Sequence, residues 1–106
     1  MVFVESSIFT KYIHDYLTDD EYSALQFSLT NRPDAGKVVR GTGGLRKIRW
    51  GLKNKGKSGG ARIIYYWQVS ADRIFLLTLF AKNEMNDLTS EETKILKKML
   101  KEMTDV

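Results

Sequence analysis

Gly41-Thr42-Gly43-Gly44-Leu45-Arg46-Lys47-Ile48-Arg49-Trp50, followed after a lysine-rich link by Gly59-Gly60-Ala61-Arg62-Ile63-Ile64-Tyr65-Tyr66-Trp67, is the stretch on which the reading of this chain turns. Successive residues of a strand take opposite faces. Ile48 and Trp50 therefore share the packed side, with Arg46 at its margin, while Lys47 and Arg49 project together from the other side. In the second segment Ile63, Tyr65 and Trp67 share one face, and Arg62, Ile64 and Tyr66 the other. Arg62 stands at the loop end of its strand, where it can join Lys47 and Arg49 if the two strands pair. Three cations on neighbouring strands repel one another, so they need an anion or wide exposure to solvent. This is the pattern of a phosphate site.

The charge distribution points the same way. Nine of the 17 basic residues lie between Lys37 and Arg62, and no Asp or Glu occurs from Ala35 to Ala71, whereas the remainder carries eight basic against 13 acidic residues. The formal total of +4 thus conceals +9 in one stretch and −5 elsewhere. A concentrated single-sign field serves a partner of opposite charge, and nucleic-acid phosphate is the first candidate. A solvated lysine-rich loop is the alternative. The link from Leu52 to Gly60 is too long for a tight hairpin, and its Lys53, Lys55 and Lys57 suit contact with a backbone of varied shape. The glycines at 41, 43 and 44 lack the spacing of a nucleotide-binding loop and do not join a strand to a helix, so they read as a bend or bulge entering the sheet.

Outward from this centre, 106 residues form one domain, 1–106, with room for a single core and an open surface site. No apolar run approaches the ~20 residues of a membrane span, and the N-terminus lacks a basic region followed by an apolar one, so a cytoplasmic protein is expected. There is no cysteine, which excludes disulfides and thiolate ligands, and His14 is the only histidine, which disfavours a histidine metal site. Val2 to Val4 form a first strand, and Ser6 or Ser7 caps a helix running from Ile8 to Leu17. Thr18-Asp19-Asp20-Glu21 is a capping box that starts a second helix, with Tyr22, Leu25, Gln26 and Leu29 on its stripe, and Pro33 closes it. After a turn at Val69 to Asp72, the nearly all-apolar strand from Ile74 to Lys82 is buried on both faces. Asn83 to Leu88 reads as a short helical turn. Thr89-Ser90-Glu91-Glu92 is a second capping box, opening a last helix with Ile95, Leu96, Met99, Leu100 and Met103 on one side and Lys94, Lys97, Lys98 and Lys101 on the other. The expected class is α+β, in the order β-α-α-β-β-β-α, with an antiparallel central sheet, two N-terminal helices on one face and a C-terminal helix.

This order of elements, with Gly-Thr-Gly-Gly-Leu-Arg-Lys-Ile-Arg, Gly-Gly-x-Arg-Ile-Ile-Tyr-Tyr and Lys-Asn-Glu-x-x-Asp-Leu, resembles the RelE superfamily of bacterial toxins, and within it the HigB-like branch, over nearly the whole chain. The resemblance implies a RelE-like fold and the toxin of a type II toxin-antitoxin system. It implies a ribosome-dependent endoribonuclease, an mRNA interferase that uses no metal or other cofactor, cleaves mRNA in the ribosomal acceptor site by 2′-hydroxyl attack and inhibits translation. The implied partners are a cognate antitoxin with a helix-turn-helix DNA-binding domain, and the 70S ribosome with its mRNA, with no membrane involved.

By position, Arg62 matches the family's phosphate-binding arginine, Lys47 and Arg49 its basic pair, and Lys82 and Glu84 the Lys-x-Glu block, which together make the catalytic set. Arg46, Lys53, Lys55, Lys57 and Tyr66 are the expected accompanying RNA contacts, Tyr66 by stacking on a base or by standing in for the family's tyrosine, with a plain core role as the alternative. Asn83 stands where the archetype has a second arginine, and Leu88-Thr89 where it has a tyrosine. Two other functions fit the same residues: a same-fold toxin that inhibits DNA gyrase or another topoisomerase, and an RNA-binding module that breaks no bond.

Overall fold

The computed structural model describes residues 1–51, 60–81 and 88–104. β1 (Val2–Glu5) leads into α1 (Ser7–Tyr16) and α2 (Asp19–Asn31), then β2 (Lys37–Val38), β3 (Arg46–Gly51), β4 (Gly60–Gln68), a 3₁₀ turn (Val69–Ala71), β5 (Arg73–Ala81) and α3 (Ser90–Thr104). The strands lie in the order β1-β5-β4-β3-β2. β2 to β5 pair antiparallel as expected, but β1 runs parallel to β5, so the sheet is mixed. Three β-prone residues carry no sign of direction; the partner strand decides it. β2 was not expected. Its two residues are too few to show an alternation, and it forms because the glycine loop after it turns the chain back into β3.

The two faces of the sheet bury different side chains. On one, Phe9 and Ile13 of α1 and Leu25 and Leu29 of α2 pack over Ile63, Tyr65, Ile74 and Leu76, with Ile48, Trp50 and Trp67 at the margin. On the other, Leu96 of α3, with Met99, Leu100 and Met103, covers Ile64, Phe75, Leu77 and Phe80. The alternation expected for β3 and β4 is therefore the one observed. β5 keeps both faces supplied by a bulge: Ile64 pairs with Thr78 but Tyr65 with Leu76, leaving Leu77 as the extra residue. The parity of β5 shifts there, so that Leu79 faces α1 and α2 while Phe80 faces α3. Ser6 holds this point. Its buried hydroxyl donates to the Leu77 carbonyl at 2.6 Å and accepts from Phe9 N–H at 3.0 Å, and its amide donates to the Leu76 carbonyl at 2.9 Å. One side chain thus caps α1 and fastens it to the bulge.

Both capping boxes form. Thr18 and Glu21 exchange bonds of 2.8 and 3.1 Å at the start of α2, and Thr89 and Glu92 do the same at the start of α3. Trp50 ties β3 to α2 by donating its Nε1 to the Glu21 carbonyl at 3.1 Å. Among the described residues no helix is long and apolar enough to cross a membrane.

The segment between α2 and β2 is held from beneath. The fully buried Tyr65 hydroxyl donates to the Pro33 carbonyl and accepts from Gly36 N–H, both at 2.8 Å. A Cβ at Gly36 would stand 2.8 Å from the Tyr65 ring, so only glycine lets the backbone approach this closely. Tyr65→Phe leaves the Gly36 amide buried without a partner, which costs about 1–3 kcal/mol. The midpoint of thermal unfolding is expected to fall by about 4–8 °C per kcal/mol. Burial also holds the Tyr65 phenol above its ordinary value of 10.0. A raised acid contributes stability that is complete below the unfolded value and is lost as pH climbs towards the folded one. Urea titrations above pH 10 should therefore show a steeper alkaline loss for the wild type than for Tyr65→Phe.

Candidate functional site

The register of β3 and β4 brings the cations together. Arg49 is directly opposite Arg62, Ile48 opposite Ile63 and Lys47 opposite Ile64. Side chains so opposed share a face and have Cβ atoms about 4.5–5.5 Å apart. Arg49, Arg62 and Lys47 accordingly occupy the face that carries α3, but in the part of it that α3 leaves uncovered. Arg49 is exposed, and Arg62 and Lys47 are half-buried. Neither arginine has a carboxylate partner among the described residues, whose ion pairs are Met1 with Asp72 and His14 with Asp19. Partial burial, and then the charge of Arg49, hold the Arg62 guanidinium below its ordinary value. A guanidinium stays charged in proteins even so. The pair is thus a fixed double positive charge without a counter-ion among the described residues, and a tetrahedral phosphate fits its donor geometry.

Gly60 forms the floor of this pair. A Cβ there would lie 3.1 Å from Arg62 Nη1 and 3.5 Å from Arg49 Cγ. The absence of a side chain lets the Arg62 head fold back across β4 towards Arg49. Phe80, directly opposite Arg62 on β5, borders a cleft that Thr78, Leu79, Leu88, Glu92, Ile95 and Leu96 also line. Ile95 is 60% exposed there, so the wall of this cleft is mostly apolar, with Glu92 as its one carboxylate among the described residues.

The other residues singled out from the sequence fall in different places. Arg46 faces α2: its Nη1 donates to the carbonyls of Asp34 at 3.2 Å and Gly36 at 2.8 Å, so it holds the segment that leads into β2. Tyr66 shares the face of Arg62 but lies four residues away, about 13 Å along the strand. It is half-buried against the α3 core, and its ring would meet a Cβ at Gly44 at 3.3 Å. Lys53, Lys55, Lys57, Lys82 and Glu84 lie outside the described residues, as does most of the helical turn expected at Asn83 to Leu88.

The glycine loop is a turn, as expected. Gly41, Gly43 and Gly44 have φ of 76°, 75° and 117°, and buried Thr42 knits the loop by donating to the Val39 carbonyl at 2.6 Å and accepting from Leu45 N–H at 3.1 Å. Two features of the site were missed in the sequence. In the sequence Gly60 is only one residue of a motif, and Lys37, opposite Lys47, lies in the two-residue β2, too short to show an alternation.

A family model described as the RelE toxin of the RelE/RelB toxin-antitoxin system matches residues 6–106. Among solved structures, the chain is similar to a double arginine-to-alanine mutant of the E. coli toxin RelE in the free state. The identity is 14%, 80% of this chain and 86% of that chain are covered, and the TM-score is 0.54. That likeness is one of fold, which among the described residues of this chain is an α+β arrangement of three helices and a five-stranded sheet.

The floor under Arg62 can be tested without disturbing the core. Gly60→Ala should leave stability unchanged or raise it by up to ~1 kcal/mol, since glycine within a strand is unfavourable. Its methyl group displaces the Arg62 head, the movable end of a long side chain. Affinity for a short single-stranded RNA is expected to fall roughly tenfold, about the worth of one hydrogen bond to a charged group. Anisotropy titration beside a urea melt checks both, and unchanged affinity would remove Gly60 from the site.

Proposed function

Because the chain belongs to the RelE toxin family, whose members are held by an antitoxin and are in general endoribonucleases, we propose that it is a ribosome-dependent, metal-independent mRNA endonuclease acting in the ribosomal acceptor site. The observation that carries this reading is the direct opposition of Arg49 and Arg62 on one exposed face.

Cleavage begins with removal of the proton from a ribose 2′-hydroxyl. The oxygen attacks the adjacent phosphorus in line, and the bond to the 5′-oxygen of the next nucleotide breaks. That oxygen takes up a proton, leaving a 2′,3′-cyclic phosphate and a 5′-hydroxyl. The largest requirement is stabilisation of the charge on the phosphorane oxygens, and preorganised donors in a partly dry site supply it best. Arg62, set back over Gly60, and Arg49, on the adjacent strand, meet that need. A guanidinium does not readily give up its proton, so the pair serves charge rather than proton transfer. Lys47, two residues from Arg49 on the same face, is a group that can exchange one. Lys82 and Glu84 enter as further acid and base candidates through the resemblance of their block, and Lys53, Lys55 and Lys57 as backbone contacts. The apolar wall at Phe80 and Ile95 is suited to a base flanking the scissile bond. The HigB-like assignment, the helix-turn-helix antitoxin and the cytoplasmic location belong to this proposal too, and rest on the sequence blocks.

Primer extension on a defined mRNA in a purified translation system tests the reading. Wild-type protein should create new ends inside acceptor-site codons, and Arg62→Ala should slow their appearance on the order of 10²–10³-fold, the usual cost of losing one transition-state donor. Intact mRNA with folded wild-type protein would sink the proposal and move this face to a binding role.

A further inference from the structure

The register places a fourth cation on the same face. Lys37 is directly opposite Lys47 across β2 and β3, and Val38 opposite Arg46. Lys37 is exposed and has no ion-pair partner among the described residues. From Arg62 to Arg49 is one strand spacing, about 5 Å; from Arg49 to Lys47 is two residues along β3, about 7 Å; from Lys47 to Lys37 is another strand spacing. The four charges form a staircase across three strands, from the loop end of β4 to the outer edge of β2. Its ends are roughly 12 Å apart at the backbone by these spacings, too far for one phosphate to engage all four.

β2 is not a casual edge. It is two residues long, yet the segment before it is anchored by the Tyr65 hydroxyl and by Arg46, and the segment after it by the Thr42 turn and a 2.7 Å bond from Val39 N–H to the Leu45 carbonyl. These bonds hold the exposed Lys37 opposite a second lysine, so the rim of β2 adds positive charge to the face that carries Arg49 and Arg62.

We propose that Lys37, with Lys47, binds the phosphate next along the strand from the one held by Arg49 and Arg62, making β2 the rim of a two-phosphate track for single-stranded RNA. This rests on the RNA reading given above. The competing role for an edge lysine is to deter edge-to-edge association, which any charge would serve.

The test measures binding of a short fluorescent single-stranded RNA over a range of salt, and cleavage of mRNA on programmed ribosomes, for wild type and for Lys37→Ala, Lys37→Glu and Lys37→Arg. Removing one phosphate contact should lower the slope of log affinity against log salt by about 0.7 in Lys37→Ala, with Lys37→Arg restoring it. Lys37→Glu should bind more weakly still. On ribosomes, the half-saturating concentration should rise several-fold for Lys37→Ala with the maximal rate kept, whereas Arg62→Ala loses the rate. A wild-type slope in Lys37→Ala, or wild-type affinity in Lys37→Glu, overturns the proposal, including the case in which Lys37→Ala weakens only the antitoxin complex. If the wild type cleaves no mRNA, the catalytic reading fails alone, and the salt slope still decides Lys37.

Discussion

β4 has to bury both faces along most of its length and leave one bare at its start, and the rest of the molecule is arranged around that demand. Ile63 and Tyr65 lie beneath α1 and α2, while Ile64 and Tyr66 turn towards α3. Arg62 precedes this doubly covered run and shares the face of Ile64, just where the cover of α3 ends. The rigid, dehydrated half of the strand therefore aims the charged half. The bulge at Leu77 serves the same demand on β5, since without the change of parity Leu79 and Phe80 would exchange faces and each would stand in the core that the other now fills.

The electrostatic arrangement follows from this packing. A sheet face that carried four cations along its middle could not also support a helix, because desolvating them would cost more than the apolar contacts return. Placing the cations at one end separates the two duties. Helix α3, with Leu96, Met99, Leu100 and Met103, covers the apolar half. The other half keeps Arg49 and Arg62 opposed, unneutralised by described carboxylates. Gly60 contributes through what it lacks, since the room above it is what the Arg62 head occupies.

Stability and site are joined through Tyr65. Its ring belongs to the helix-covered core, while its hydroxyl fixes Pro33 and Gly36, from which the chain enters β2. Arg46 adds a bond from the margin of the same face. The position of Lys37 on the far face is thus set by contacts made through the sheet, so a core tyrosine and a surface lysine are parts of one construction.

Much of this was determined by the sequence itself. Alternation in Leu45 to Trp50 and in Arg62 to Trp67 assigned each side chain to its face, because strand geometry allows no other assignment. The two Thr-x-x-Glu boxes marked the starts of α2 and α3, since local hydrogen bonds need no distant partner. The acid-free run from Ala35 to Ala71 marked the cationic region. What depended on partners far along the chain was decided only by the tertiary structure. Register set Arg49 against Arg62 and Lys37 against Lys47; no residue type specifies which rung faces which. The direction of β1 came from β5, the structural duty of Arg46 from carbonyls ten and twelve residues away in sequence, and the meaning of Gly60 from a side chain folded over it. Local pattern encodes which way a residue points, whereas the neighbour it meets there is a property of the assembled sheet.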